Sequence, residues 1–139
     1  MNVFDVHILA ADRVFYEGPC ESIIVPTTLG QYGIQANHMN MISAVVPGAI
    51  KYTLPGEAQK KAAVSGGIVK VEKNSVLLLV ESIETPEEID KNRALRALDT
   101  AREEMLQKQS QTDYIAAKAH FMRALNRLKI KNDYDEYDQ

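Results

Sequence analysis

The stretch "IDKNRA", residues 89–94, sets an acid, Asp90, three positions before a base, Arg93. Further along, "RALNR" carries Arg123 and Arg127, four apart. Residues three or four apart share one side of a helix, so each pair acts as a unit if the chain is helical there. A guanidinium is a planar fork of donors that fits phosphate oxygens. Three arginines meeting at one point would hold a polyanion. Asp90 would repel phosphate there, and would accept instead from an exocyclic amine or a ribose hydroxyl. The set therefore reads as a nucleotide pocket with a base end and a phosphate end. The same residues also read as solvated helix surface, with Asp90 and Arg93 an i,i+3 pair worth about 0.2–0.5 kcal/mol. Spacing alone leaves both readings open. Lys118, Arg123, Arg127, Lys129 and Lys131, with no acid between them, make a basic face that suits an acidic protein surface or simply water.

Whether these groups meet depends on the elements that carry them. "TPEE" reads as a helix start: Thr85 caps, Pro86 takes the first helical position and Glu88 completes a capping box. Ala94, Leu98, Ala101 and Met105 then recur at spacings of four, three and four, one apolar stripe. "QKQSQTD", residues 107–113, breaks the pattern, and Ser110 or Thr112 is placed to cap a second helix. That helix puts Tyr114, Ala117, Phe121, Ala124, Leu125 and Leu128 on one side. The short connector predicts an antiparallel hairpin, which lays residues 89–94 beside 123–127. Alanine-rich stripes bury little area, so at about 25 cal/mol per Å² the hairpin has modest stability of its own and needs a docking surface.

Residues 1–84 read as strands. "NVFDVHIL" alternates, with Phe4, Val6 and Ile8 on one face. "ESIIVP" and "AVSGGIVKVE" are rich in Val and Ile, and "SVLLLVESIE" reads as a more fully buried strand. Turn signals recur at short intervals. "LPGE" suits a type II turn, Pro55 presetting φ and Gly56 taking the positive φ. Gly66-Gly67 reads as a strand bend or bulge, since no helix follows to make a phosphate loop. Many short strands with no helical stretch between them predict an antiparallel sandwich or barrel, so the chain is α+β, strands first. Residues 1–84 form the β part and 85–131 the helical part. The tail after Lys131 is expected to be disordered for want of apolar surface.

The chain has 139 residues, 45% apolar and 25% charged, with net charge −3, which argues against an electrostatic nucleic-acid binder. The charge is uneven: 6 basic and 8 acidic residues in 1–84, 10 and 7 in 85–132, none and 4 in "DYDEYDQ". Such asymmetry suggests separate tasks. One cysteine, Cys20, gives no intrachain disulfide and no multi-cysteine metal site, and fits a reducing compartment. His7, His38 and His120 stand in unrelated contexts without a nucleophile or metal motif, so neither catalysis nor a metal centre is expected. No secretory leader is expected, and "VLLLV" is too short to span a bilayer. Any work at a membrane would be as a peripheral protein.

The blocks "VHILAADRVFYEG", "ESIIVPTTLGQYGIQANHMNMISAVVPGAI", "VSGGIVKVEKNSVLLLVESIE" and "EIDKNRALRALDTARE" resemble, in order and spacing, the epsilon subunits of bacterial rotary proton-translocating ATP synthases. The resemblance covers about residues 3–131. It implies a ten-stranded β-sandwich followed by a two-helix domain. It also implies a non-catalytic rotor subunit that needs no cofactor, peripheral on the cytoplasmic side of the cell membrane. The sandwich would bind the gamma subunit and the ring of c subunits, with Gln31, Tyr32, His38 and Met39 the exposed candidates of the contact loop. The hairpin would be mobile. Extended along gamma, its basic second helix would meet the alpha and beta subunits of the catalytic head and inhibit ATP hydrolysis. In some members the compact hairpin binds ATP as a regulatory ligand. The matching positions are Glu84, Ile89, Asp90, Arg93, Ala94, Arg123 and Arg127. Thr100 stands where those members carry one further arginine, which removes a phosphate contact from the pattern. Two rivals remain: a constitutive coupling adaptor whose hairpin binds no nucleotide, and a stand-alone nucleotide-binding module.

Overall fold

The computed structural model describes residues 2–107 and 110–137. It divides into two compact units, Met1–Glu84 and Thr85–Gln139. The first holds ten strands: β1 (Phe4–Ala10), β2 (Val14–Cys20), β3 (Ser22–Thr27), β4 (Gly30–Gln35), β5 (Met41–Val45), β6 (Gly48–Thr53), β7 (Lys60–Val64), β8 (Gly67–Glu72), β9 (Ser75–Val80) and β10 (Ile83–Glu84). They run in the order β10-β7-β6-β3-β5-β8-β9-β1-β2, with β4 on β3. Only one residue pair, Thr27 opposite Val45, joins β3 to β5. That narrow link is the fold line between two layers. Ile23, Val25, Ile34, Ile50 and Val64 from one layer share a core with Val6, Ile8, Val69, Val71 and Leu78 from the other. Phe4, Val6 and Ile8 are all 2% exposed or less, as their alternation predicts.

Among the described residues, all strand pairings but one are antiparallel. β1 and β9 run parallel, from Asp5 opposite Ser75 to Ala10 opposite Val80. Nothing in the local pattern signals this pairing, because the two strands lie far apart in sequence. Local turns follow their residues more closely. Gly56 sits at φ +75° and the Glu57 N–H donates to the Leu54 carbonyl at 3.0 Å, the predicted type II turn. Lys73 and Asn74 both take positive φ (51° and 60°), the two-residue I′ turn that matches the twist of β8 and β9.

Gly67 is a site of close approach rather than a bulge. It pairs with Val80 at the start of β8, and a Cβ there would overlap the Leu79 carbonyl oxygen. Gly67→Ala therefore has to push backbone against backbone, and we expect a loss of about 1–3 kcal/mol, toward the upper end. A chemical denaturation midpoint unchanged from the native chain would contradict this.

The second unit starts with a 3-10 turn, Pro86–Glu88, followed by α1 (Lys91–Gln107) and α2 (Gln111–Tyr137). The Thr85 box closes the 3-10 turn and does not start α1. The Glu88 carboxylate accepts from the Thr85 N–H at 3.0 Å and from the Thr85 hydroxyl at 2.9 Å. Ile89 is then extended (φ −75°, ψ 120°), and its side chain is 2% exposed. Burying Ile89 breaks the helical path, and Asp90 restarts it. Ser110 caps α2, its hydroxyl accepting from the Asp113 N–H at 3.0 Å. Ala94, Leu98, Ala124 and Leu128 form the seam, with Phe121 against it. Leu125, expected in the stripe, is 42% exposed, while Ile130 is buried. The acidic end, expected to be disordered, is helical through Tyr137. An i,i+4 ion pair, Lys131 to Asp135 at 3.5 Å, supports it. Residues 138–139 lie outside the described part. Among the described residues no helix is long and apolar enough to cross a membrane.

Candidate functional site

Asp90 is the N-cap of α1. Its Oδ1 accepts from the Arg93 N–H at 3.1 Å, and its carbonyl accepts from the Ala94 N–H at 3.0 Å. The Arg93 N–H, above all, holds the carboxyl below the usual carboxylate range. Asp90 therefore stabilises the folded helix start above the unfolded carboxylate pKa. That contribution is lost as pH falls through its depressed folded value. The sequence pair Asp90–Arg93 is thus a cap, with the arginine side chain left exposed for other work.

α1 and α2 are antiparallel. The Arg102 guanidinium lies over the Phe121 ring, 5.8 Å from its centroid. At the other end of the hairpin the Lys131 ammonium donates to the Pro86 carbonyl at 3.2 Å. This register brings the first turn of α1 level with residues 123–128. Arg93 precedes the seam residue Ala94, Arg123 precedes Ala124, and Arg127 precedes Leu128. In an antiparallel pair, the positions just before the seam residues lie on the same flank of the hairpin. The three arginines therefore share a flank, Arg93 exposed and Arg123 and Arg127 half-buried. The other predicted ligand residues are placed differently. Ala94 is fully buried in the seam, Ile89 is buried, and Glu84 ends β10 opposite Ala63 in the first unit.

The basic residues of α2 do not make one face. Arg123, Arg127 and Lys131, at i, i+4 and i+8, form a half-buried stripe on one flank of the seam. Lys118 and Lys129 lie on the opposite flank and are exposed. Counting charges along the sequence overlooked the 100° advance per residue that divides them.

The predicted contact loop is partly assembled. The Tyr32 hydroxyl lies 3.0 Å from His38 Nε2, and the rings meet edge to face at 5.5 Å. His38 Nδ1 lies 2.8 Å from the Met39 carbonyl, which can only accept, so Nδ1 donates there. His38 is thus a turn-shaping residue. Met39 is 75% exposed, and Gln31 takes the opposite side of β4 from Tyr32. The Asn74 side chain ties this loop down, accepting from the Asn37 N–H at 2.7 Å and donating to the Val3 carbonyl at 3.1 Å.

The sequence reading missed the outer face of the second layer. Ala44, Ile68, Leu79, Leu9 and Val14 stand directly opposite one another across β5, β8, β9, β1 and β2. Ile68 is 41%, Leu79 37% and Val14 61% exposed. At about 4.8 Å between strands the row is roughly 19 Å long. Beside it run Ile42, Lys70, Leu77, His7 and Glu17, with His7 and Glu17 paired at 3.3 Å. An apolar stripe with a polar rim has the layout of an interface. The signal was present in "VLLLV". Val76, Leu78 and Val80 face the core, which leaves Leu77 and Leu79 outside with nothing of their own layer to cover them. Among the described residues no cluster of acids, histidines and cysteine is grouped to hold a metal ion.

Residues 3–86 match the sequence model of the family described as ATP synthase, Delta/Epsilon chain, beta-sandwich domain. Residues 87–132 match that of the ATP synthase, Delta/Epsilon chain, long alpha-helix domain. The chain is 42% identical over 136 residues to the ATP synthase epsilon chain of Caldanaerobacter subterraneus subsp. tengcongensis, covering 97% of this chain and 98% of the relative. It is 35% identical to that of Caldicellulosiruptor bescii, with 98% of each covered. The fold is similar to a chain in the Euglena gracilis mitochondrial ATP synthase, OSCP/F1/c-ring in rotational state 1 (TM-score 0.77, 20% identity, 96% of this chain and 82% of that one). It is also similar to one in the central stalk/c-ring of the Tetrahymena thermophila mitochondrial enzyme (TM-score 0.65, 16% identity, 91% and 95%).

Proposed function

The chain belongs to the ATP synthase delta/epsilon chain family, and from that premise we propose that it is a non-catalytic subunit of the rotor. Its sandwich docks on the gamma subunit and links it to the ring of c subunits, so that proton flow is coupled to ATP synthesis. It is held at the cytoplasmic side of the cell membrane by those partners. The observation that carries this reading is the apolar row from Ala44 to Val14, a sheet face that a stable partner would cover. The loop carrying Tyr32, His38 and Met39 is the proposed ring contact. Its tie to Asn74 gives it a fixed shape. The basic stripes of α2 are proposed to meet acidic surfaces of the catalytic head when the hairpin extends, and so to inhibit ATP hydrolysis.

Reconstitution tests this. A rotary complex assembled without the chain should lose proton-coupled ATP synthesis, and residues 1–84 alone should restore it. Deleting residues 85–139 should raise ATP hydrolysis severalfold. An unchanged hydrolysis rate would remove the inhibitory role and leave the coupling role standing.

A second reading, the constitutive adaptor, draws on specific placements. Asp90 already works as a helix cap, and Ala94 and Ile89 are buried parts of the fold. Each has a structural reason to be present without any nucleotide. Under this reading, replacing Arg93 and Arg127 together by alanine leaves the response to ATP unchanged.

A further inference from the structure

We propose that the acidic end of the chain is a latch that closes the hairpin through Lys131. The Lys131 ammonium makes three contacts. It donates to the Pro86 carbonyl at 3.2 Å, pairs with Asp135 at 3.5 Å, and lies 5.3 Å from the centroid of the Tyr134 ring. Its side chain is only 17% exposed. The Pro86 carbonyl also accepts from the Ile89 N–H at 3.4 Å, so Lys131 grips the turn that precedes α1. An ammonium that donates to a carbonyl from a mostly covered side chain gains from an anion beside it. Asp135 supplies the anion and Tyr134 the ring face. Both come from residues beyond 132, where the match to the helix-domain family ends.

Two consequences follow. The tail adds stability to the closed hairpin at its open end, far from the Ser110 connector. While latched, Lys131 is also withheld from any acidic partner, so the tail acts as an internal competitor for the end of the Arg123–Arg127–Lys131 stripe. The second consequence rests on the proposed inhibitory role of α2; the first does not.

Amide hydrogen exchange on the full chain tests the latch. Asp135→Asn and Lys131→Met should each speed exchange across residues 86–94 by about two- to fivefold, the range of an ion pair of this exposure. The double variant should exchange no faster than Lys131→Met alone, because both changes break one contact set. The Asp135→Asn effect should fade near 1 M salt, where the screening length falls to about 3 Å. A chain ending at Asn132 should behave like Asp135→Asn, with far-ultraviolet circular dichroism as the check that α1 and α2 persist. Unchanged exchange in Asp135→Asn and in the shortened chain, or fully additive effects in the double variant, would overturn the latch. In the reconstituted enzyme, Asp135→Asn should lower ATP hydrolysis. Faster exchange with unchanged hydrolysis supports the latch and counts against the inhibitory role of the basic stripe.

Discussion

Replacing Ile68 and Leu79 together by glutamate is expected to abolish stable binding of the chain to the gamma subunit while leaving the isolated chain folded. The two residues pair directly across β8 and β9, at the centre of the outer apolar row. Both are more than a third exposed in the free chain, so water solvates the new carboxylates and the core beneath, Val69 and Leu78, is untouched. In the complex the same carboxylates would be buried without partners. Hot-spot residues near the centre of an interface cost about 2 kcal/mol or more when truncated, and an unpaired buried charge costs at least as much. Two such losses amount to roughly 4 kcal/mol, close to a thousandfold in Kd. Surface-bound gamma titrated with each variant gives the measurement. Lys61→Glu, an exposed change on β7 in the other layer, serves as the control and should bind normally. Native affinity in the double variant would show that the row is not the docking face.

What was legible in the sequence was local. Alternation in β1 needs only neighbouring residues, and Gly56 and Ser110 announce a turn and a cap by their own conformational preferences. The parallel partner of β1 was hidden, because register between distant strands is decided by the shared core. The start of α1 was misplaced for a different reason. Thr85 to Glu88 and Asp90 to Arg93 are both valid start signals, and only the burial of Ile89 decides that the first makes a separate turn. The helical tail was missed because part of its support comes from Lys131, which reaches Pro86, Asp135 and the Tyr134 ring at once. The capping duty of Asp90 was not foreseen, because its spacing to Arg93 reads equally as a side-chain pair. The division of the basic residues between two flanks could have been read from their spacing alone.

The arginine flank is expected to bind ATP in the compact hairpin. Calorimetric titration of the full chain should give saturable heat, and Arg93→Ala with Arg127→Ala should remove it. Hydrogen bonds to charged groups contribute about 1.5–3 kcal/mol each, so losing two such donors weakens binding by at least about a hundredfold. Asp90 has to be tested as Asp90→Asn rather than as alanine. Asparagine keeps the cap to the Arg93 N–H, so a change in affinity then reports on the carboxylate facing the ligand and not on a frayed helix. Thr100 lies on the same flank, just before the buried Ala101. Thr100→Arg, which adds a further guanidinium to this flank, should tighten binding about tenfold or more. The size of the switch follows from linkage. Ligand tenfold above its Kd favours the compact state by about 1.4 kcal/mol, which matters only if the two hairpin states are nearly balanced. A seam built from Ala94, Leu98, Ala124 and Leu128 is small enough for such balance. Absence of saturable heat at millimolar ATP, in the native chain and in Thr100→Arg alike, would make the hairpin a fixed part of the adaptor rather than a sensor.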